Sequence, residues 1–302
     1  MSGPGRLRHK VGQAIASRQL WAPGDTVLVA LSGGMDSVAL LSLLHDTSDW
    51  HGATLLAGVV DHGTRPCSGA EADLAVSLAE GLGVPAHRLD LSLGAGASEA
   101  LCREGRYAAL RSLGAARIAT GHHREDQAET ALLAMMRGSG TLGLGGMGWR
   151  AGDLVRPLLG VGRVELLRWV HHRGLPWVED PTNADGGNLR SRLRAEVLPA
   201  LEAVRPGVSA LLARSATHAA EDAALLEHLT DELEARLEHP WPREALINAP
   251  APLVRRLLLR HLPQARSSHL DAAMAALARG HGSVLLPGGA RLAVGKGRVR
   301  VR

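Results

Sequence analysis

Over its first half the chain alternates short apolar runs with longer segments whose apolar residues recur at helical spacing. Thr26-Val-Leu-Val-Ala-Leu31 is a continuous apolar run entered from the turn signal Pro23-Gly24, as in a strand covered on both faces. Ser37 to Leu44 then offers Val38, Leu41 and Leu44 to one side of a helix. Thr54 to Val60 reads as a second strand, Glu71 to Leu82 as a helix and Pro85 to Leu91 as a third strand. Glu99 to Leu113 predicts a helix carrying Arg103, Arg106 and Tyr107. Ala116 to Thr120 predicts a fourth strand, and Arg124 to Met136 the helix after it. This alternation predicts an α/β fold with a doubly wound, mostly parallel sheet. Such sheets bind ligands outside the carboxyl ends of their strands. The polar sequences Ser32 to Ser37, Asp61-His62 and His122-His123 fall at those ends.

Gly138 to Gly148 is glycine-rich and precedes a second block, Arg156 to Leu201, of helices and a loop rich in Asp, Asn and Gly. Val208 to Leu237 reads as one long helix or a helical pair, broken by Pro240 and Pro242. Helices near Arg243 to Leu262 and Ser268 to Arg279 follow. Short strands over 284–286, 291–294 and 298–301, the first two turned by Gly288-Gly289, complete a small α+β tail. The expected organisation is a catalytic domain over 1–205, a helical linker over 206–238 and a small basic domain over 239–302.

Composition narrows the class. Hydrophobic residues at 45% and charged residues at 21% describe a globular chain of 302 residues. No apolar run approaches the roughly 20 residues needed to span a bilayer. The stretch from Met1 to Lys10 lacks the apolar core of a signal peptide, so a cytoplasmic protein without a membrane partner is expected. Cys67 and Cys102 form no Cys-x-x-Cys and supply neither a disulfide framework nor a four-cysteine zinc site. The net charge of +4, carried by arginine with only Lys10 and Lys296 as lysines, is compatible with a polyanionic partner.

The chemistry begins at Ser32-Gly33-Gly34-Met35-Asp36-Ser37. Gly33 and Gly34 let the backbone approach a ligand, the helix start favours an anion, and Asp36 could hold a magnesium ion. No Gly-x-x-x-x-Gly-Lys exists, so this is not a Walker loop. A bare strand-to-helix turn explains two glycines but not the hexapeptide. In Gly121-His-His-Arg-Glu-Asp-Gln-Ala-Glu-Thr130, spacings of three and four put Asp126, Glu129 and Thr130 on one helical face. A zinc site at His122 and His123 is an alternative whose remaining ligands are not evident, and an acid-rich helix start is the bland one. Arg190, Arg192 and Arg194 form a basic cluster suited to phosphates. Trp177 reads as a core anchor.

The hexapeptide resembles the pyrophosphate-binding loop of the N-type ATP pyrophosphatases, the PP-loop family, which transfer AMP to a substrate and release pyrophosphate. The block from Gly121 to Thr130 is similar to the His-His-x-Asp-Asp-Gln-x-Glu-Thr block of its RNA-modifying branch, with Glu125 in place of the first Asp. Three further stretches resemble the tRNA(Ile)-lysidine synthase family: Arg156-Pro-Leu-Leu, Trp177-Val-Glu-Asp-Pro-Thr-Asn183, and Arg190-Ser-Arg-Leu-Arg194 with Leu198-Pro199. So do Glu99, Arg103, Arg106 and Tyr107, and the glycine-rich Arg137 to Gly140 and Gly143 to Met147. Ser191 departs from that family's Asn.

The resemblance implies ATP-dependent, AMP-forming ligation of L-lysine to C2 of the wobble cytidine in a CAU-anticodon tRNA(Ile). In it Ser32, Gly33, Gly34, Met35, Asp36 and Ser37 bind ATP, and Asp36 holds magnesium. His122, His123 and Asp126 line the site where base and lysine meet. Arg106, Arg190 and Arg194 are candidates to steady phosphates or the adenylated intermediate; the lysine ammonium needs a carboxylate, for which Glu129 and Asp61 are unassigned candidates. Arg190, Arg194, Arg255, Arg256, Arg298 and Arg300 are the candidates for RNA phosphates. A PP-loop tRNA sulfur transferase of the 2-thiocytidine type and a non-catalytic nucleotide- or RNA-binding module are the rivals. The oligomeric state, a homodimer included, stays open.

Overall fold

The computed structural model describes residues 3–63, 68–91, 94, 96–178 and 189–302. Two compact units divide the chain, Met1–His218 and Ala219–Arg302.

The first unit starts with α1 (Pro4–Ser17), whose Leu7, Val11 and Ile15 recur every four residues and are buried. Then come β1 (Thr26–Ala30), α2 (Met35–Asp46), α3 (Ser48–His51), β2 (Thr54–Asp61), α4 (Ser68–Gly81), β3 (Ala86–Asp90), α5 (Glu99–Arg111), β4 (Arg117–Ala119) and α6 (Arg124–Met136). Val27, Leu28 and Val29 of β1 have no exposed surface, which is why their run carries no polar alternation. β1 pairs in parallel with β2, from Thr26↔Thr54 to Ala30↔Gly58, and with β4, from Val27↔Arg117 to Val29↔Ala119. β3 lies parallel outside β2.

A short helix α7 (Thr141–Leu144) leads to an antiparallel hairpin, β5 (Arg150–Ala151) and β6 (Leu154–Val155), with β6 parallel to β4. The sheet order is therefore β3-β2-β1-β4-β6-β5, mostly parallel and doubly wound as expected. Strand order reverses between β1 and β4, so the crevice at their carboxyl ends is the topological switch point. α8 (Arg163–His172) packs on α2, where the Trp169 indole N–H donates to Ser42 Oγ at 3.1 Å. α9 (Leu189–Arg192), a π-helical turn (Leu193–Val197) and α10 (Leu198–Val204) precede α11 (Val208–Ala235). The boundary between the units falls inside α11.

The second unit holds the rest of α11, β7 (Trp241–Pro242), α12 (Arg243–Asn248), α13 (Ala251–His261), α14 (Ser267–Arg279), β8 (Gly282–Leu285), β9 (Arg291–Gly295) and β10 (Arg298–Val301). Its sheet is antiparallel in the order β7-β10-β9-β8. Trp241, Leu257, Leu258, Leu292 and Val299 are central to its core. α11 ends at Ala235, before Pro240 and Pro242, which flank the strand residue Trp241. β7 is an edge strand, where a missing N–H costs little. Among the described residues no helix is long and apolar enough to cross a membrane.

Candidate active site

The loop from Ser32 to Ser37 leaves β1 and opens α2. Gly33 sits at φ +77°, in the left-handed region that favours glycine. The Ser37 hydroxyl donates to the Gly34 carbonyl at 2.8 Å and accepts from the Ser32 backbone N–H at 3.2 Å. Ser37 is thus an internal staple of the loop, and the start of α2 supplies N–H groups of the kind that can receive an anion. Met35 is buried beneath them. The Val178 N–H straps the loop from outside, donating to the Gly33 carbonyl at 2.9 Å.

At the end of β4, a Cβ added to Gly121 would lie 3.0 Å from the backbone carbon and oxygen of Asp36. Glycine there lets β4 run directly under the loop. His122 and His123 follow, and Asp126 accepts the His123 backbone N–H at 2.9 Å, capping α6.

The two histidines have opposite surroundings. His123 is almost wholly buried; its Nε2 lies 3.6 Å from Asp36 Oδ1 and 3.6 Å from Asp126 Oδ2, and its Nδ1 lies 3.1 Å from Glu125 Oε2. Burial alone would lower its pKa, but Asp36, Glu125 and Asp126 outweigh that and raise it to about 10. Burial opposes ionisation of Glu125 too, yet His123 and the Arg163 backbone N–H bring its pKa down to about 2. That N–H donates to Glu125 Oε2 at 2.9 Å, so Glu125 ties the start of α8 to the site. His122 is only half-buried by exposed area, with Nδ1 2.8 Å from Thr120 Oγ1. Loss of solvation, helped by Arg156, Arg190 and Arg103 against the pull of Asp126, lowers its pKa to about 4. At neutral pH the pair is one neutral imidazole beside one imidazolium.

Glu129, one turn further along α6, is wholly buried. Arg194 Nε donates to its Oε1 at 2.7 Å, and Arg190 Nε to its Oε2 at 2.8 Å. Arg194 Nη2 also reaches Asp126 Oδ1 at 2.9 Å. α9 and the π-helical turn carry Arg190 and Arg194 to this one spot, while Arg192 turns to solvent and pairs with Glu196 at 3.5 Å. Asp61, the other candidate for an ammonium, is engaged elsewhere. Hydrogen bonds from Ser68 and Gly63, with Arg88 nearby, hold its carboxyl below the usual range. Arg106 Nε donates to His62 Nε2 at 3.2 Å beside β2.

The loop fits a magnesium ion. Asp36 Oδ1 is buried without a hydrogen-bond partner, an anionic oxygen beside phosphate donors, as this hard cation requires. Among the described residues no three or more His, Cys, Asp or Glu are grouped to hold a metal by themselves.

Other sequence candidates separate. Trp177 is half-buried against the core, edge-on to His171 with ring centroids 5.1 Å apart. Glu179 to Asn183, Cys67 and the side chain of Glu99 lie outside the described residues. In the second unit, Arg255 pairs with Asp271 at 2.7 Å and Arg256 with Glu227 at 3.2 Å. α11 supplies Glu227, Asp231 and Glu234 to Arg256 and Arg260. Arg298 and Arg300 stay exposed on β10, opposite buried Val299.

Two residues stood in the sequence motifs without an assigned role. Arg156 is buried, with one nitrogen donating to the Gly148 carbonyl at 2.6 Å and its Nε buried without a hydrogen-bond partner. A lone charge in the apolar run Leu154 to Leu159 was the available signal. The Gln127 amide donates to the carbonyls of Gly145 and Met147 at 3.1 Å and accepts the Met147 N–H at 2.8 Å, pinning the glycine-rich turn.

A Ser-Gly-Gly-x-Asp-Ser loop at the switch point of a doubly wound sheet is the mark of a PP-loop protein, and the family model described as the PP-loop domain matches residues 6–201. Along 98% of its length the chain is 41% identical to the tRNA(Ile)-lysidine synthase of Salinispora arenicola, covering 95% of that protein. It is 40% identical to that of Nocardia farcinica over 94% of this chain and 92% of the other. The chain belongs to the tRNA(Ile)-lysidine synthase family. Among solved structures, the U34-tRNA thiolase NcsA from Methanococcus maripaludis superposes with a TM-score of 0.59 at 20% identity, over 71% of this chain and 77% of that one. That likeness shows the shared fold alone.

Proposed function

We propose that this chain ligates L-lysine to C2 of the wobble cytidine of CAU-anticodon tRNA(Ile), consuming ATP and releasing AMP and pyrophosphate. The observation that carries the reading is the meeting of Asp36, His123 and Asp126 at the switch point, 3.6 Å apart in successive pairs, in a chain whose relatives along almost its whole length bear that name.

In the first step cytosine O2 attacks the α-phosphorus of ATP and pyrophosphate leaves. The N–H groups at the start of α2 hold the leaving charge, and the imidazolium of His123 keeps the Asp36 carboxylate in place. Asp36 would hold magnesium, which when bound neutralises phosphate charge. In the second step the lysine amine attacks C2 and AMP leaves. Neutral His122 is free to accept a proton there. Both ammonium candidates are already engaged, Glu129 by Arg190 and Arg194 and Asp61 by Ser68, Gly63 and Arg88, so neither is assigned to the lysine ammonium. Arg298 and Arg300 would add salt-sensitive contacts to RNA phosphates.

The test is release of labelled AMP from ATP with tRNA transcripts, with and without lysine. Lysine-dependent release restricted to the CAU-anticodon transcript supports the reading. Nucleotide binding without turnover, or a requirement for a sulfur donor, overturns it.

A further inference from the structure

A cavity of about 510 Å³ opens beside the Glu129 ion pairs, bounded by Thr130, Leu133 and Arg137 of α6, Ser139 after it, and Leu189 and Arg190 of α9. Its volume falls in the range of small-ligand clefts, roughly 300–1,000 Å³. Thr130, Leu133 and Arg137 follow at spacings of three and four, so one helical face builds the wall. None of the described residues bounding it is an acid. Arg137 is exposed and has no acid partner among the described residues. Arg190 gives its Nε to Glu129 at 2.8 Å, holds its Nη2 3.6 Å from Asp126 Oδ1, and also bounds the cavity. The Thr130 hydroxyl gives its proton to the Asp126 carbonyl at 2.7 Å and offers its lone pairs. Leu189 stays 44% exposed at the rim.

Two guanidiniums, two hydroxyls and an apolar wall suit an anion carrying a flat apolar body. They suit an amino acid poorly, since its ammonium would enter between two cations with no carboxylate among the described residues that bound the cavity. We propose that this cavity receives a nucleotide of the substrate RNA adjoining the reacting base, its phosphate against Arg137 and Arg190 and its base against Leu133 and Leu189. Single-stranded loop nucleotides are commonly splayed out and bound in this way. The inference rests on the proposed function only in taking the substrate to be RNA.

The experiment measures tRNA affinity and lysine-free pyrophosphate release for wild type, Arg137→Ala, Arg137→Lys and Leu189→Glu over a range of salt. Arg137→Ala should weaken tRNA binding about tenfold and reduce the slope of log affinity against log salt by about one, leaving the KM for lysine unchanged. Arg137→Lys should restore the slope, and Leu189→Glu should weaken binding by placing a carboxylate at the rim. Unchanged tRNA affinity and slope in both Arg137→Ala and Leu189→Glu, or a rise confined to the KM for lysine, overturns the proposal. Wild-type AMP release that fails to depend on lysine overturns the proposed function instead and leaves these affinities readable.

Discussion

Oδ1 of Asp36 lies 3.6 Å from Nε2 of His123, so the loop after β1 and the turn after β4 meet as carboxylate and imidazolium. This contact joins the phosphate-binding loop to the His-His block across the switch point. Asp36→Asn keeps the shape but removes the charge. Pyrophosphate release should fall by about 10²- to 10³-fold, while tRNA affinity stays within about twofold. Filter-binding and single-turnover assays on the same preparation separate the two, and equal loss of both contradicts this division of labour.

His123 makes stability depend on pH in the alkaline range. Its folded pKa of about 10 stands above the ordinary 6.5, so the folded state holds a proton that the unfolded chain releases earlier. The associated stability is complete below pH 6.5 and is lost as pH rises through 10. Urea denaturation of the metal-free, nucleotide-free protein should show wild type losing stability over that interval while His123→Gln stays flatter. Parallel curves would rule out the buried imidazolium.

Glu129 is buried, whereas the side chains of Arg190 and Arg194 are 37% and 47% exposed. Removing one partner of a fully buried pair costs about 3–5 kcal/mol, and solvent around the arginines reduces this to roughly 2 kcal/mol for Glu129→Leu. Limited proteolysis should also become faster between Leu189 and Val197. Unchanged stability and cleavage would mean that the arginines do not depend on Glu129.

Gly121→Ala places a methyl 3.0 Å from the Asp36 backbone. The fold should survive, because the strain falls on one loop, and ATP affinity should drop about tenfold. Thermal unfolding beside nucleotide titration distinguishes this from general destabilisation.

The tail's arginines should divide by their partners. Arg298→Ala with Arg300→Ala should lower the salt slope of tRNA binding by about two. Arg256→Ala, which loses the Glu227 contact, should lower the stability of the second unit more than the slope. A slope change from Arg256→Ala alone would reverse the assignment.

Much of this architecture was legible in sequence because its signals are local. The run Thr26 to Leu31 and the hexapeptide after it mark β1 and its loop without reference to any other segment. Spacing alone set Asp126, Glu129 and Thr130 on one face of α6. The β5–β6 hairpin was not legible, because two-residue strands carry no periodicity and depend on β4 for pairing. β7 was hidden by prolines whose cost vanishes only at an edge. The ion pairs of Arg256 and Arg260 with α11 were invisible because they join residues some 30 positions apart. Opposite charge on His122 and His123 was likewise unreadable, since it depends on which arginines and carboxylates the fold brings to each ring.

The most direct test is the wobble nucleoside itself. A CAU-anticodon tRNA(Ile) transcript incubated with the protein, ATP and lysine is digested to nucleosides and weighed by mass spectrometry. The proposed function predicts that the wobble cytidine gains one lysine less one water, only when lysine is present. Cytidine of unchanged mass despite ATP consumption, or a gain matching sulfur, would contradict it.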